Sequence, residues 1–282
     1  MAAAAFEVDR RFMRAALALA RRVVGVTTPN PAVGCVIVRG GRIIARGATA
    51  PGGRPHAEAI ALASAGARAR GATAYVSFEP CAHYGQTPPC ARALAEAGVA
   101  RVVIGCVDPY PRVRGRGIAI LKRAGIQVTA AVMEDQARRL NEGFITRVKM
   151  GRPMAILKLA MSLDGKIAAA GGDSKWISSA KSRDMVHRWR SECDAAIVGA
   201  GTVIADNPRL TARIARGRDP IRVVVDGRLR SPATSQVFRI RSAAPTILVT
   251  TRANLRRARR QYERPGVEVI GIAARSGEID LA

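Results

Sequence analysis

Aromatic side chains are scarce in this chain: five Phe, four Tyr and two Trp in 282 residues. Proteins that grip single-stranded nucleic acid by stacking interleave aromatics with cations. No such stretch is present, so nucleic acid is not the expected partner. Acidic residues are few as well, 21 Asp and Glu against 46 Lys and Arg, giving a formal net charge of +25. Such a field attracts phosphate esters and nucleotides, but the arginines are scattered, and a compositional habit explains them equally well. No apolar run is long enough to span a bilayer, so no membrane association is expected. There is no internal repeat and no low-complexity tract. Five cysteines, an odd number, come without a secretory signal. That argues against a disulfide framework and for reduced thiols or metal ligands in a cytoplasm.

What is present points to two aliphatic cores. Nearly half of the residues are apolar, alanine is abundant, and 282 residues favour two domains. Asp9 is read as the N-cap of a helix running to about Val24. CVIVRGGRIIARG reads as strand, Gly-Gly hairpin turn, strand. HAEAIALASAGARA has helical spacing. ATAYVSFEP is a buried strand, TPPCARALAEAG a helix with proline at its entry, and RVVIGCVDP, GIAILKRAG and IQVTAA a strand, a helix and a strand. Alternating strands and helices give an α/β sandwich. LNEGFITRVKMGRP reads as a linker, and MAILKLAMSLDG as the first strand of a second α/β unit. That unit continues through a helix near SAKSRDMVHRWRSE and strands at DAAIVGAG, IRVVVDG and TILVT.

The chemistry concentrates in three side chains near helix starts: His56, Cys81 and Cys90. One His and two Cys suit a catalytic zinc whose fourth position stays open. Glu58, two residues after His56, is placed to take a proton from water and pass it on, as in the H-x-E and P-C-x-x-C signature of nucleobase deaminases, where the Glu is not a ligand. Here H-A-E spans 56–58 and P-C spans 80–81, but eight residues rather than two separate the cysteines. The longer loop is tolerable if Cys90 opens the next helix, as Pro88 and Pro89 suggest. A lone Cys is usually a small buried hydrophobe and a lone His is usually structural; the combination is far rarer. Cys35, Cys106 and Cys193 are assigned to the core.

TTPNPAVG, HAEAIAL, EPCAHYGQTPPC and DPYPRVRGRGIAIL together resemble the bifunctional riboflavin-biosynthesis pyrimidine deaminase/reductase family. The resemblance implies a cytidine-deaminase-like three-layer α/β/α domain at 1–147 and a dihydrofolate-reductase-like α/β domain at 148–282. It implies Zn2+ on His56, Cys81 and Cys90, Glu58 as proton shuttle, and Asn30 and His83 beside a phosphorylated pyrimidine. Gln86 and Tyr110 depart from the family pattern, and Arg112 and Arg114 replace neutral residues; these places are expected to touch the ribose phosphate.

RPMAILKLAMSLDGKIA, SKWISS and DAAIVGAGTVIADNPRLTAR are similar to the family's reductase half, which implies NADPH. Cofactor contacts are then expected from Ala160, Trp176, Thr202 and Asp206, and substrate contacts from Ser174, Arg190, Leu210 and Arg213. The chain stops at SGEIDLA, without the Glu-Gly-Gly-type loop and closing strands of the family, so an incomplete, inactive reductase is expected. A cytoplasmic homo-oligomer is expected too. Two other readings keep the zinc: a deaminase of tRNA or free bases, and a catalytically inactive homologue.

Overall fold

The computed structural model describes residues 2–85, 88–174, 177–215, 217–275 and 278–280. It falls into two compact units, Met1–Leu157 and Lys158–Ala282.

The first unit runs α1 (Ala2–Arg21), β1 (Gly34–Arg39), β2 (Arg42–Ala48), α2 (Ala57–Ala65), β3 (Thr73–Phe78), α3 (Cys90–Glu96), β4 (Arg101–Cys106), α4 (Arg116–Arg123), β5 (Gln127–Thr129), α5 (Glu134–Leu140) and α6 (Glu142–Met150). Its sheet has the order β2-β1-β3-β4-β5. β1 is antiparallel to both neighbours, whereas β3, β4 and β5 are parallel. The Gly-Gly hairpin forms as read, with Gly40 and Gly41 both at positive φ, the conformation a two-residue turn of this hand requires.

Helices cover both faces of the sheet. A Cβ on Gly34 of β1 would lie 2.0 Å from the Ala16 carbonyl oxygen of α1, and one on Gly47 of β2 would lie 2.1 Å from the Ala57 oxygen of α2. Gly47 pairs across the ladder with Cys35, so it shares a face with Cys35 and not with Gly34. The two helices therefore rest on sheet backbone from opposite sides, and alanine-rich helices allow that approach. Val36, Ile37, Val76, Val102, Val103 and Ile104 are wholly buried between the layers, which is why these strands read as continuous apolar runs.

Two local expectations are corrected. Asp9 is not an N-cap: α1 begins seven residues earlier, because the preceding alanines are strong helix formers. Asp9 is instead a buried side chain that accepts from Tyr75 Oη at 3.0 Å and from both Arg101 Nη atoms at 2.8 and 2.6 Å. Nor is 140–153 a linker. Most of it is α6, anchored through buried Ile145 and through Asn141 at its entry.

The second unit runs α7 (Ala180–Glu192), β6 (Ala195–Gly199), α8 (Ala200–Asp206), β7 (Ile221–Val225), α9 (Gln236–Arg239), β8 (Thr246–Thr251), α10 (Leu255–Tyr262), β9 (Val267–Ile272), β10 (Ala274–Arg275) and β11 (Glu278–Ile279). Strands β6-β7-β8-β9 form one parallel sheet, whose Leu248 joins Val203, Phe238 and Tyr262 in one buried cluster. The strand expected at MAILKLAMSLDG is not formed. Ile156, Leu157, Leu159, Met161 and Leu163 are exposed, and residues 153–162 pair with no other segment among the described residues. A strand is held by ladder hydrogen bonds, and without a neighbour supplying them its backbone stays in solvent.

Candidate active site

The parallel strands β3 and β4 end side by side, and the loops after them carry the polar groups, as open α/β sheets commonly arrange. β3 leads into Glu79, Pro80 and Cys81. His56 immediately precedes α2, and Cys90 is the first residue of α3. His56 Nδ1 faces both sulfurs, at 3.6 Å from Cys81 Sγ and 3.3 Å from Cys90 Sγ. The three donor atoms lie within 4.8 Å of one another. A tetrahedral ion with metal–sulfur bonds of about 2.3 Å and a metal–nitrogen bond of about 2.0 Å requires sulfur and nitrogen roughly 3.5 Å apart. The residues present fit such an ion. The Cys90 N–H donates to Cys81 Sγ at 3.2 Å. Hydrogen bonds from Cys90 chiefly, and from His56, lower the Cys81 thiol to about 4, so this sulfur stands as a thiolate. The hydrogen bond with Cys81 chiefly, opposed by burial, raises His56 above the ordinary imidazole value.

Glu58 sits in the first turn of α2, 3 % exposed, and is not one of the three converging donors. Burial, with Cys81 second, pushes its carboxyl up to about 7. A carboxyl poised near neutrality can both accept and return a proton.

His56, Glu58 and Cys81 line a cavity of about 740 Å3, within the usual range for small-molecule sites. Its apolar wall includes Pro29, Val33, Phe78, Val113 and Phe144, and its polar lining includes Asn30, Thr49, His83, Asp108 and Tyr110. Two cations, Arg54 and Arg147, also line it. Asn30 Nδ2 donates to the Gly53 carbonyl at 2.9 Å. Arg112 and Arg114, expected near a phosphate, are exposed and do not line this cavity; Gln86 lies outside the described residues. Glu79, 4 % exposed, accepts from the backbone N–H groups of Asp108 (3.2 Å), Gly115 (3.0 Å), Gly117 (3.0 Å) and Ile118 (3.3 Å). It thereby fastens the loop after β4 and the first turn of α4 to the end of β3. Burial, opposed by the Tyr110 N–H, raises Asp108 to about 6.

Sequence reasoning missed Glu79, Asp108, Arg54 and Arg147. The first two followed strand ends, which was the available signal; the arginines were hidden among many others.

In the second unit, Arg190 of α7 donates to the Thr211 carbonyl at 3.5 Å. Burial and then the neighbouring Arg213 charge lower the Arg190 guanidinium, so these two expected substrate residues are brought together. Leu210 is buried next to them. Thr202 and Asp206 share α8 and are exposed, and Ser174 and Ala160 lie in stretches without regular structure. Trp176 lies outside the described residues.

Residues 6–106 match the cytidine and deoxycytidylate deaminase zinc-binding region, and residues 153–281 match the RibD C-terminal domain. The riboflavin biosynthesis protein RibD of Aquifex aeolicus is 44% identical over 265 residues, covering 94% of this chain and 74% of that one. The chain belongs to the RibD family. RibD of Synechocystis is 45% identical, covering 93% of this chain and 71% of its own. The crystal structure of a diaminohydroxyphosphoribosylaminopyrimidine deaminase/5-amino-6-(5-phosphoribosylamino)uracil reductase from Thermotoga maritima superposes with a TM-score of 0.84. It is 42% identical, covering 94% of this chain and 74% of that structure. The chain is thus a RibD-type enzyme of riboflavin biosynthesis, with a zinc deaminase domain followed by a reductase domain that uses NADPH. The zinc chemistry read from three side chains and the family resemblance agree with these matches, which do not favour a tRNA or free-base deaminase.

Proposed function

We propose that residues 1–147 hydrolyse the 2-amino group of 2,5-diamino-6-(5-phosphoribosylamino)pyrimidin-4-one, giving 5-amino-6-(5-phosphoribosylamino)uracil and ammonia. Residues 148–282 carry the reductase domain for the ribosyl side chain of that product. His56, Cys81 and Cys90 hold the zinc. When bound, the ion lowers the pKa of water from about 15.7 toward 7. Glu58 takes one proton of the water on its carboxylate and gives it to the ring nitrogen, then takes the second, from the hydroxyl now on the attacked carbon, and gives it to the departing amine, which leaves as ammonia. Its burial keeps the proton from leaking to solvent. Asn30 and His83, both lining the cavity, orient the base. Two cysteine thiolates would offset the charge of the dication.

In the reductase domain, Arg190 and Arg213 form a guanidinium pair for the sugar phosphate, with Ser174 and Leu210 beside it. Ala160, Trp176, Thr202 and Asp206 contact the cofactor. No helix among the described residues is long and apolar enough to cross a membrane. A cytoplasmic homo-oligomer remains our reading, and light scattering on the purified chain checks the oligomer.

The observation that supports the deaminase most is the convergence of His56, Cys81 and Cys90 on one another, with His56, Cys81 and buried Glu58 lining one cavity. Metal analysis together with an ammonia-release assay on the diaminopyrimidine tests it. One zinc per chain and stoichiometric ammonia are expected; protein that carries the metal but releases no ammonia would overturn the assignment.

A further inference from the structure

The proposed substrate carries a phosphate monoester, and the cavity must hold that dianion away from its metal end. Of the arginines in the first unit, Arg54 and Arg147 line the cavity. Arg147 projects from α6. Its Nη2 donates to the Pro29 carbonyl at 2.7 Å, and its guanidinium carbon lies 5.7 Å from the centre of the Phe144 ring. Both neighbours are neutral, and Arg147 meets no carboxylate among the described residues. The head group is therefore oriented while its charge remains uncompensated.

Pro29 adjoins Asn30, whose amide donates to the carbonyl of Gly53, the residue before Arg54. One run of contacts, from Arg147 through Pro29, Asn30 and Gly53, thus ties both arginines to the same stretch of wall. The Arg54 guanidinium lies across Gly85. A Cβ at that glycine would fall 2.8 Å from Arg54 Nη2 and 3.7 Å from its Cζ. The head of Arg54 occupies the space that a side chain at 85 would take.

We propose that Arg54 and Arg147 form the anion subsite of the deaminase cavity, binding the substrate phosphate and setting the preference for phosphorylated over unphosphorylated pyrimidines. This rests on the function proposed above. Guanidinium groups suit the role because they present parallel donors to phosphate oxygens and stay charged at any working pH. The subsite lies in the wall around Asn30, not at Arg112 and Arg114, where sequence position alone directs attention.

The test uses the full zinc-loaded chain with Arg54→Gln, Arg147→Gln, both together, and Gly85→Ala, which displaces the Arg54 head without removing its charge. Ammonia release is measured with the phosphorylated pyrimidine and with the same compound after phosphatase treatment. The double variant is expected to raise KM for the phosphorylated compound at least tenfold more than for the dephosphorylated one, with kcat changing much less. Gly85→Ala should shift KM in the same sense by a smaller factor. Equal losses on both compounds, or no change on either, would overturn the proposal. A second arm titrates ribose 5-phosphate by calorimetry in an Arg190→Gln background, which silences the other arginine pair. Weaker binding on removing Arg54 and Arg147 supports the subsite, and unchanged binding overturns it. If the parent chain deaminates neither pyrimidine, the substrate assignment fails, and the calorimetric arm still decides the subsite.

Discussion

Asn141 grips the backbone of Ala32 with both ends of its side-chain amide: Oδ1 accepts the Ala32 N–H at 2.8 Å and Nδ2 donates to the Ala32 carbonyl at 3.0 Å. The two residues are 109 apart in sequence, and Asn141 is 4 % exposed. The contact holds the Asn30–Val33 wall of the cavity against the entry to α6. Asn141→Ala would leave both backbone groups buried and unpaired. The expected cost is about 2–4 kcal/mol, read as a lower denaturation midpoint with an unchanged slope.

Removing the Glu58 carboxyl should separate binding from chemistry. Glu58→Gln keeps the size of the side chain but cannot carry a proton. The expected fall in kcat is on the order of 10²–10⁴, with zinc content unchanged by metal analysis. Cys90→Ser should instead lose the metal, because a hydroxyl replaces one of the two sulfur donors.

The Asp9–Arg101 pair is a stability element far from the chemistry. Arg101→Ala strands the Asp9 carboxylate beside Tyr75 Oη and also removes the donor to Thr129 Oγ1 at 2.9 Å. Arg101 keeps 29% of its side chain in solvent, so the loss is smaller than for a fully buried pair, about 2 kcal/mol. Thermal unfolding of the variant against the parent measures it.

Asp108 gives a pH signature. Its carboxyl is raised from 3.8 to about 6, by burial chiefly and by nearby Glu79 among the charged groups. The folded chain therefore holds this proton more tightly than the unfolded chain does. The resulting stability is fully present below about pH 4 and is lost as pH rises through about 6. Asp108→Asn should remove that decline, worth on the order of 2–3 kcal/mol. Urea titrations between pH 4 and 7 with a chelator present check it.

The metal triad was legible because its signal is local: a histidine before a helix, a cysteine after a strand and a cysteine opening the next helix. The sheet of the first unit was legible because strands buried on both faces are written as apolar runs. Asp9 misled because a residue that looks like a cap can equally face a distant arginine, and only tertiary packing decides. The α6 segment misled because its charged residues mask a short buried stripe through Ile145. At Met154–Gly165 the apolar run reads as a strand, but a strand depends on a neighbour that sequence pattern does not supply. Arg54 and Arg147 were illegible for the opposite reason: in a chain so rich in arginine, only position distinguishes a cation that lines a cavity from one that faces water.

The carboxylate of Glu79 works as a rivet. It sits two residues before a metal ligand and accepts hydrogen bonds from four amides, those of Asp108 and Gly115 in the loop after β4 and those of Gly117 and Ile118 in the first turn of α4. Those amides should exchange with deuterium as slowly as strand amides, and should be released together when the rivet is cut. Loading the ion and shaping the far wall of the pocket would then be a single mechanical event.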